Sequence, residues 1–247
     1  MKYLLLCAVL VSVSLVPGKS ARADVSLPSV IDSHMVLQRG MPLKIWGFAA
    51  KGEPVMVELA GAKATTTAND KGEWVVTLPA MKAGGPHKLT IAGNNRITLE
   101  DILVGEVWIG SGQSNMQWSV SASNNAGAEI GAAKYPNIRL FLVPNVLSGI
   151  PNKDVKADWK ACTPAAVPSF SAVLYYFGRH LHKELDIPVG LIASAWGGSL
   201  IEPWTPPPGF AGVKKVSGIS DNIRATQVAY LEALGKSPAS STPEAKA

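Results

Sequence analysis

The sequence predicts an α/β domain preceded by a small antiparallel β-sandwich. Three observations carry that expectation. Short alternating strands separated by turn residues fill the chain up to about residue 100. A continuous apolar strand then starts after Asp101 and runs into a Gly-Ser-Gly turn, and a strand, a helix and a second strand follow it.

The chain has 247 residues, 47% of them apolar, which is enough to bury a real core. Residues 1–23 stand apart. Lys2, an apolar run over residues 3–16 and the small-x-small site Ala21-Arg22-Ala23 form the three-part pattern of a secretory signal peptide, so export to the periplasm or the medium is expected. Cys7 lies inside the apolar run rather than after it, which argues against a lipoprotein anchor. Nothing later approaches the roughly 20 apolar residues that a membrane-spanning helix needs. Lys2, Lys19 and Arg22 leave with the signal, taking the basic residues from 23 to 20 against 18 acidic ones and the net charge from +5 to +2. That balance offers no basic footprint for nucleic acid. Cys162 is then the one remaining cysteine, and its expected role is that of a small buried hydrophobe.

Within residues 24–100, the stretches 43–47, 55–59, 72–78 and 87–91 read as strands, separated by turns such as Asn69-Asp70-Lys71-Gly72. His34 and His87 are single and far apart, so no metal or catalytic cluster is expected there. From residue 101 to 235 the character is α/β. Residues 102–109 form an apolar-rich strand interrupted only by Gly105 and Glu106. A strand at 138–143, a helix from about Ser171 to Leu185 and an apolar strand at 189–194 come after it. In the helix, Ala172, Tyr175, Tyr176, Gly178, Arg179, His182 and Lys183 separate into apolar and polar faces. Strand, helix and strand in that order predict a parallel βαβ unit. Residues 236–247 carry no large apolar side chain and are expected to be flexible.

The stretch that can carry chemistry is Val107-Trp108-Ile109-Gly110-Ser111-Gly112-Gln113-Ser114-Asn115-Met116. A buried strand ends in two glycines and a serine follows at the start of a helix. Such a bend lifts a hydroxyl to the carboxyl edge of the sheet and aims free amides at developing negative charge. A nucleophile elbow proper has Gly two places after the Ser, where this chain has Met116. The same pattern also suits a Ser that merely caps a helix.

Gly105-Glu106-Val107-Trp108 followed by Ser111-Gly112-Gln113-Ser114-Asn115-Met116 resembles the nucleophile block of sialate O-acetylesterases and related SGNH-type carbohydrate esterases. A second stretch, Pro188-Val189-Gly190-Leu191-Ile192 leading to Ser194-Ala195-Trp196-Gly197-Gly198-Ser199 and Ile201-Glu202-Pro203-Trp204, resembles the glycine block of the same family. Phe170-Ser171-Ala172, Tyr176-Phe177-Gly178-Arg179 and the leader His34-Met35-Val36-Leu37-Gln38 are also similar, so the resemblance covers nearly the whole mature chain to about Trp204.

The resemblance implies an SGNH-hydrolase-like (flavodoxin-like) three-layer α/β/α domain, incomplete in this chain. It implies Ser114 as nucleophile, with its own amide and that of Gly198 or Gly197 as oxyanion donors, and Gln113 and Asn115 beside the substrate. Ser111 and Ser199 are weaker nucleophile candidates, and Ser199 stands where the family usually has Thr. The family's later Gln-Gly-Glu block and terminal Asp-x-x-His are absent, and His180 and His182 do not lie where its base comes from. The chain is therefore expected to be the front portion of a longer protein. The expected partner is O-acetylated sialic acid or another acetylated glycan, with no cofactor and no metal. A rival reading is a carbohydrate-binding protein in which Trp118, Trp196 and Trp204 stack on sugar rings.

Overall fold

The computed structural model describes residues 24–148, 152–205, 209 and 217–236. The expected signal peptide and, apart from Lys236, the expected flexible tail lie outside the described residues.

The N-terminal strands follow their period-2 patterns. Strands β2 (Leu43–Phe48) and β5 (Glu73–Leu78) pair antiparallel as one ladder. Strands β3 (Pro54–Leu59), β4 (Ala62–Thr67), β6 (Gly84–Ala92) and the front of β7 (Arg96–Gly112) form another. Alternate residues of both ladders point into one core: Leu43, Ile45, Trp74 and Val76 from the first, Val55, Val57, Leu89 and Ile91 from the second. Each such side chain contributes roughly 1.5–3 kcal/mol on burial. The sequence does not announce β4, whose Ala62-Lys63-Ala64-Thr65-Thr66-Thr67 has no large apolar residue. It forms because the two-residue turn Ala60-Gly61, with φ of 48° and 84°, folds the chain back on β3.

The expected change of character at Asp101 falls inside β7, a single strand of 17 residues. Its front pairs antiparallel with β6, Leu103–Gly105 run parallel to β1 (Val36–Gln38), and Glu106–Gly112 run parallel to β10 (Val189–Ala195). The strand continues because its neighbours change while its own ladder bonds do not lapse. Asp101 marks the exchange with φ +58°. Its carboxylate accepts from Arg139 Nη1 and from His34 Nδ1, each at 2.7 Å, and Arg139 also donates through Nε to the Pro136 carbonyl at 2.8 Å. The Arg139 guanidinium, with His34 behind it, holds the Asp101 carboxyl below the usual carboxylate range.

Beyond β7, β8 (Tyr135–Leu142) and β10 are parallel neighbours, as the βαβ reading expects, and β9 (Trp159–Cys162) adds antiparallel to β8. One large mixed sheet results, in the order β4-β3-β6-β7-β10-β8-β9. Four helices complete the described chain: α1 (Ser114–Gln117), α2 (Ala126–Ala132), α3 (Ala172–Leu185) and α4 (Ser217–Lys236). The α3 N-cap is Ser171, whose Oγ accepts from the Leu174 amide at 3.2 Å. Leu174, Tyr175 and Ala172 pack on Ile138, Leu140 and Leu191. Contact is close at Gly178, where a Cβ would meet the Leu191 side chain at 2.5 Å. The opposite face of the sheet presents Phe141 and Ile192, which join the core of the N-terminal ladders. Cys162 is fully buried, and burial pushes its thiol up to about 12, in keeping with an inert hydrophobe.

Candidate active site

The site grows from two adjacent parallel strands. β7 and β10 are in register to their ends, with Ser111 opposite Ser194 and Gly112 opposite Ala195, and the Trp196 amide adds one further bond to the Gly112 carbonyl at 2.9 Å. Both chains therefore leave the sheet at the same level of its carboxyl edge, where open α/β sheets place their ligands.

After β7, Gly112 takes φ +146°, a value that favours glycine, and Gln113 turns the chain into α1. Ser114 is the first residue of that single turn and is exposed. The turn is held on its inner side. Met116 packs against Gly110, where a Cβ would lie 3.1 Å from its sulfur, and the Ser171 hydroxyl points at the same sulfur from 3.5 Å. The exit of α1 is bonded to the start of α3, with the Ala172 amide donating to the Trp118 carbonyl at 2.8 Å and the Val120 amide to the Phe170 carbonyl at 3.0 Å.

After β10, Gly197 passes directly beside the serine: a Cβ on it would lie 3.5 Å from Ser114 Cα and 3.6 Å from Ser114 Cβ. The Gly197 amide donates to Gln117 Oε1 at 2.6 Å. Gly198 follows at φ +77°, exposed, and its amide finds no acceptor among the described residues. Ser199 closes the turn. Its amide and its hydroxyl both donate to the Trp196 carbonyl, at 3.3 and 2.7 Å, and its Oγ accepts from Trp204 Nε1 at 2.8 Å. The Ser114 amide is likewise without an acceptor among the described residues.

The structure sets Gly197 against Ser114, and Gly198 follows in the same loop. Gln113 and Asn115 flank the serine with exposed side chains, and the Gln113 carbonyl accepts the Gln117 amide at 3.0 Å. Ser111 is exposed one strand position earlier, whereas the Ser199 hydroxyl is committed to its own turn. Among the described residues, no histidine or carboxylate hydrogen-bonds the Ser114 hydroxyl. His180 and His182 stand towards the far end of α3, with His182 about 16 Å along the axis from Ser171 at ~1.5 Å per residue. His182 Nδ1 instead contacts the Ile187 carbonyl at 2.7 Å. No cluster of three metal-ligating side chains exists among the described residues. The three tryptophans differ: Trp118 is 56% exposed and Trp204 36%, while Trp196 is half-buried. Gln117 is the contributor that reading the sequence misses. No local pattern marks it, because its partner Gly197 lies 80 residues away.

Comparison with known proteins finds relatives over most of the chain. The chain is 36% identical to the sialate O-acetylesterase of Mus musculus over 209 residues, covering 76% of this chain and 39% of that one. It is 35% identical to the sialate O-acetylesterase of Homo sapiens over 208 residues, again 76% of this chain and 40% of the other. Among solved structures, a carbohydrate acetylesterase from Xanthomonas citri matches with a TM-score of 0.73 and 35% identity, over 77% of this chain and 44% of that one. No family model matches the sequence. The chain spans about two fifths of the length of the curated relatives it matches.

Proposed function

From the premise that this chain is a homologue of the sialate O-acetylesterases over three quarters of its length, we propose that it forms the nucleophile half of a serine carbohydrate O-acetylesterase. The observation that carries the reading is the juxtaposition at the sheet edge: an exposed Ser114 lies against Gly197, with the Ser114 and Gly198 amides both without an acceptor among the described residues. In this mechanism, Ser114 Oγ attacks the acetyl carbonyl while a base takes its proton. The carbonyl oxygen gains negative charge and is met by the two free amides. Collapse expels the sugar hydroxyl, protonated by the same base, and leaves acetyl on Ser114 until water releases acetate. Each amide donor is worth roughly 3–4 kcal/mol of transition-state stabilisation. The base stands outside the described residues, since none of them reaches the hydroxyl.

The substrate is an acetyl ester on a glycan, with O-acetylated sialic acid first. The finer fold reading is an SGNH-type α/β/α sheet behind a small β-sandwich. It is supported by α3 on one sheet face, by β10 as direct parallel neighbour of β7, and by the open outer edge of β7, where Trp108 is 43% and Ile109 68% exposed. Export remains part of the proposal on the strength of residues 1–23. Acetate release from an O-acetylated sialoside by the natural gene product tests the activity. Wild type should turn over and Ser114→Ala should not, and equal turnover in the two would end the assignment.

The unpartnered Ser114 hydroxyl and the exposed Trp118 favour one second reading, a glycan-binding protein without hydrolysis. Affinity for the sialoside that Trp118→Ala removes, with no acetate released, would support it.

A further inference from the structure

Among the described residues, the Gln117 side chain ties the serine turn to the glycine loop across 80 residues of sequence. The loop offers four successive amides. Trp196 gives its N–H to Gly112, Gly197 to Gln117 Oε1 at 2.6 Å, and Ser199 back to Trp196. Of these four, only the Gly198 N–H has no acceptor among the described residues. The Gly197 and Gly198 amides are linked through φ and ψ of Gly197, so holding the first restricts where the second can point. The residue that holds the first is Gln117, which sits on the same single turn as Ser114, so nucleophile and loop move as one body.

We propose that Gln117 is a positioning residue: by accepting the Gly197 N–H it withdraws that amide from the oxyanion site and sets the Gly198 amide as the loop's donor to the ligand oxygen. Two features of the loop agree. The Ser199 hydroxyl, held by the Trp204 indole, anchors the other side of Gly198, so the free amide lies between two fixed points. A Cβ on Gly197 would sit 2.8 Å from Gln117 Oε1, so the contact leaves no room for a side chain at that position. Gln117 also lines a cleft of about 250 Å³ shared with Asn145, Ser171 and Ala193, beside the serine turn. The catalytic consequence rests on the esterase reading, whereas the hydrogen bond itself does not.

Two variants separate these. Gln117→Glu keeps an oxygen acceptor at the same reach, and Gln117→Met keeps the length and removes it. In 15N-labelled protein, the Gly197 amide should be protected from hydrogen exchange in wild type and in Q117E, and should exchange about tenfold faster in Q117M, the effect of losing roughly 1.4 kcal/mol. Gln117 is exposed, so both variants should melt within a few degrees of wild type. On an acetyl ester, Q117M should lower kcat by about 10- to 100-fold with KM within twofold, because the misdirected amide meets charge only in the transition state. Unchanged Gly197 exchange in Q117M overturns the proposal whether or not the protein is an esterase. Changed exchange with wild-type kcat overturns its catalytic half. Absence of acetate release from wild type defeats the esterase reading and leaves the exchange result to decide the contact.

Discussion

The two halves of β7 meet opposite surroundings. Up to Val104 β6 pairs along one edge, β1 joins the other edge at Leu103–Gly105, and Leu99 and Ile102–Gly105 are buried. In the rear half only β10 pairs with the strand, apart from Gln38 Oε1 accepting the Val107 amide at 2.8 Å, and Trp108, Ile109 and Ser111 are exposed. Where both edges are bonded, side chains of either face are available to make core. Where one edge is left, the strand hands its exposed side chains and the amides beyond it to whatever arrives next. The same run of backbone is scaffold at one end and site at the other, and Asp101 with its buried Arg139 partner sits in the scaffold part, just before β1 joins.

The sharpest way to break this contrast is at the rear. Ser114→Ala should reduce acetate release by about 10⁴-fold or more while leaving the melting temperature nearly unchanged, since an exposed hydroxyl is removed and no packing is lost. A comparable fall in melting temperature would show that Ser114 belongs to the scaffold.

The front half should respond in the opposite sense. At Gly105 a Cβ would collide with the Pro188 carbonyl oxygen, so Gly105→Ala should cost about 3 kcal/mol of stability by denaturant titration. A cost near zero would mean that β7 and the Pro188 segment are not packed as described.

Much of this was legible before any coordinates. Residues 43–47, 55–59, 138–143 and 189–194 alternate or run apolar strongly enough to announce their strands, and Ser171 to Leu185 shows its helical stripe. Ser114 and Gly197-Gly198 were legible as motif blocks. β4 and β9 were not, because a Thr-rich edge strand and a four-residue strand owe their form to their partners rather than to their own pattern. Nor was the continuity of β7, since local composition changes at Asp101 while the ladder does not. Gln117 escaped for a related reason: its contact spans 80 residues, and spacing along the chain carries no trace of it.

The Asp101–Arg139 pair, with Asp101 in the front part of β7, gives a pH-dependent effect. The Asp101 carboxyl is depressed in the folded protein, so its stabilisation is present above its unfolded pKa of about 3.9 and is lost as pH falls through the lower folded value. Arg139→Met should lower stability at neutral pH by about 2–4 kcal/mol and flatten the loss below about pH 4, measured by urea titration across pH. A parallel pH profile in the variant would remove Arg139 as the cause. Smallest of all, Ile109→Thr, at a side chain 68% exposed, should change stability by less than about 0.5 kcal/mol. A larger loss would show that the face of β7 carrying Ile109 is covered.

The account stands or falls most directly on where the acetyl group goes. Natural gene product turning over an activated acetyl ester can be quenched in acid and its peptides mapped by mass spectrometry. The geometry at the carboxyl edge of β7 predicts acetyl on Ser114. Turnover accompanied by acetyl on Ser111 or another residue, with Ser114 unmodified, would contradict it.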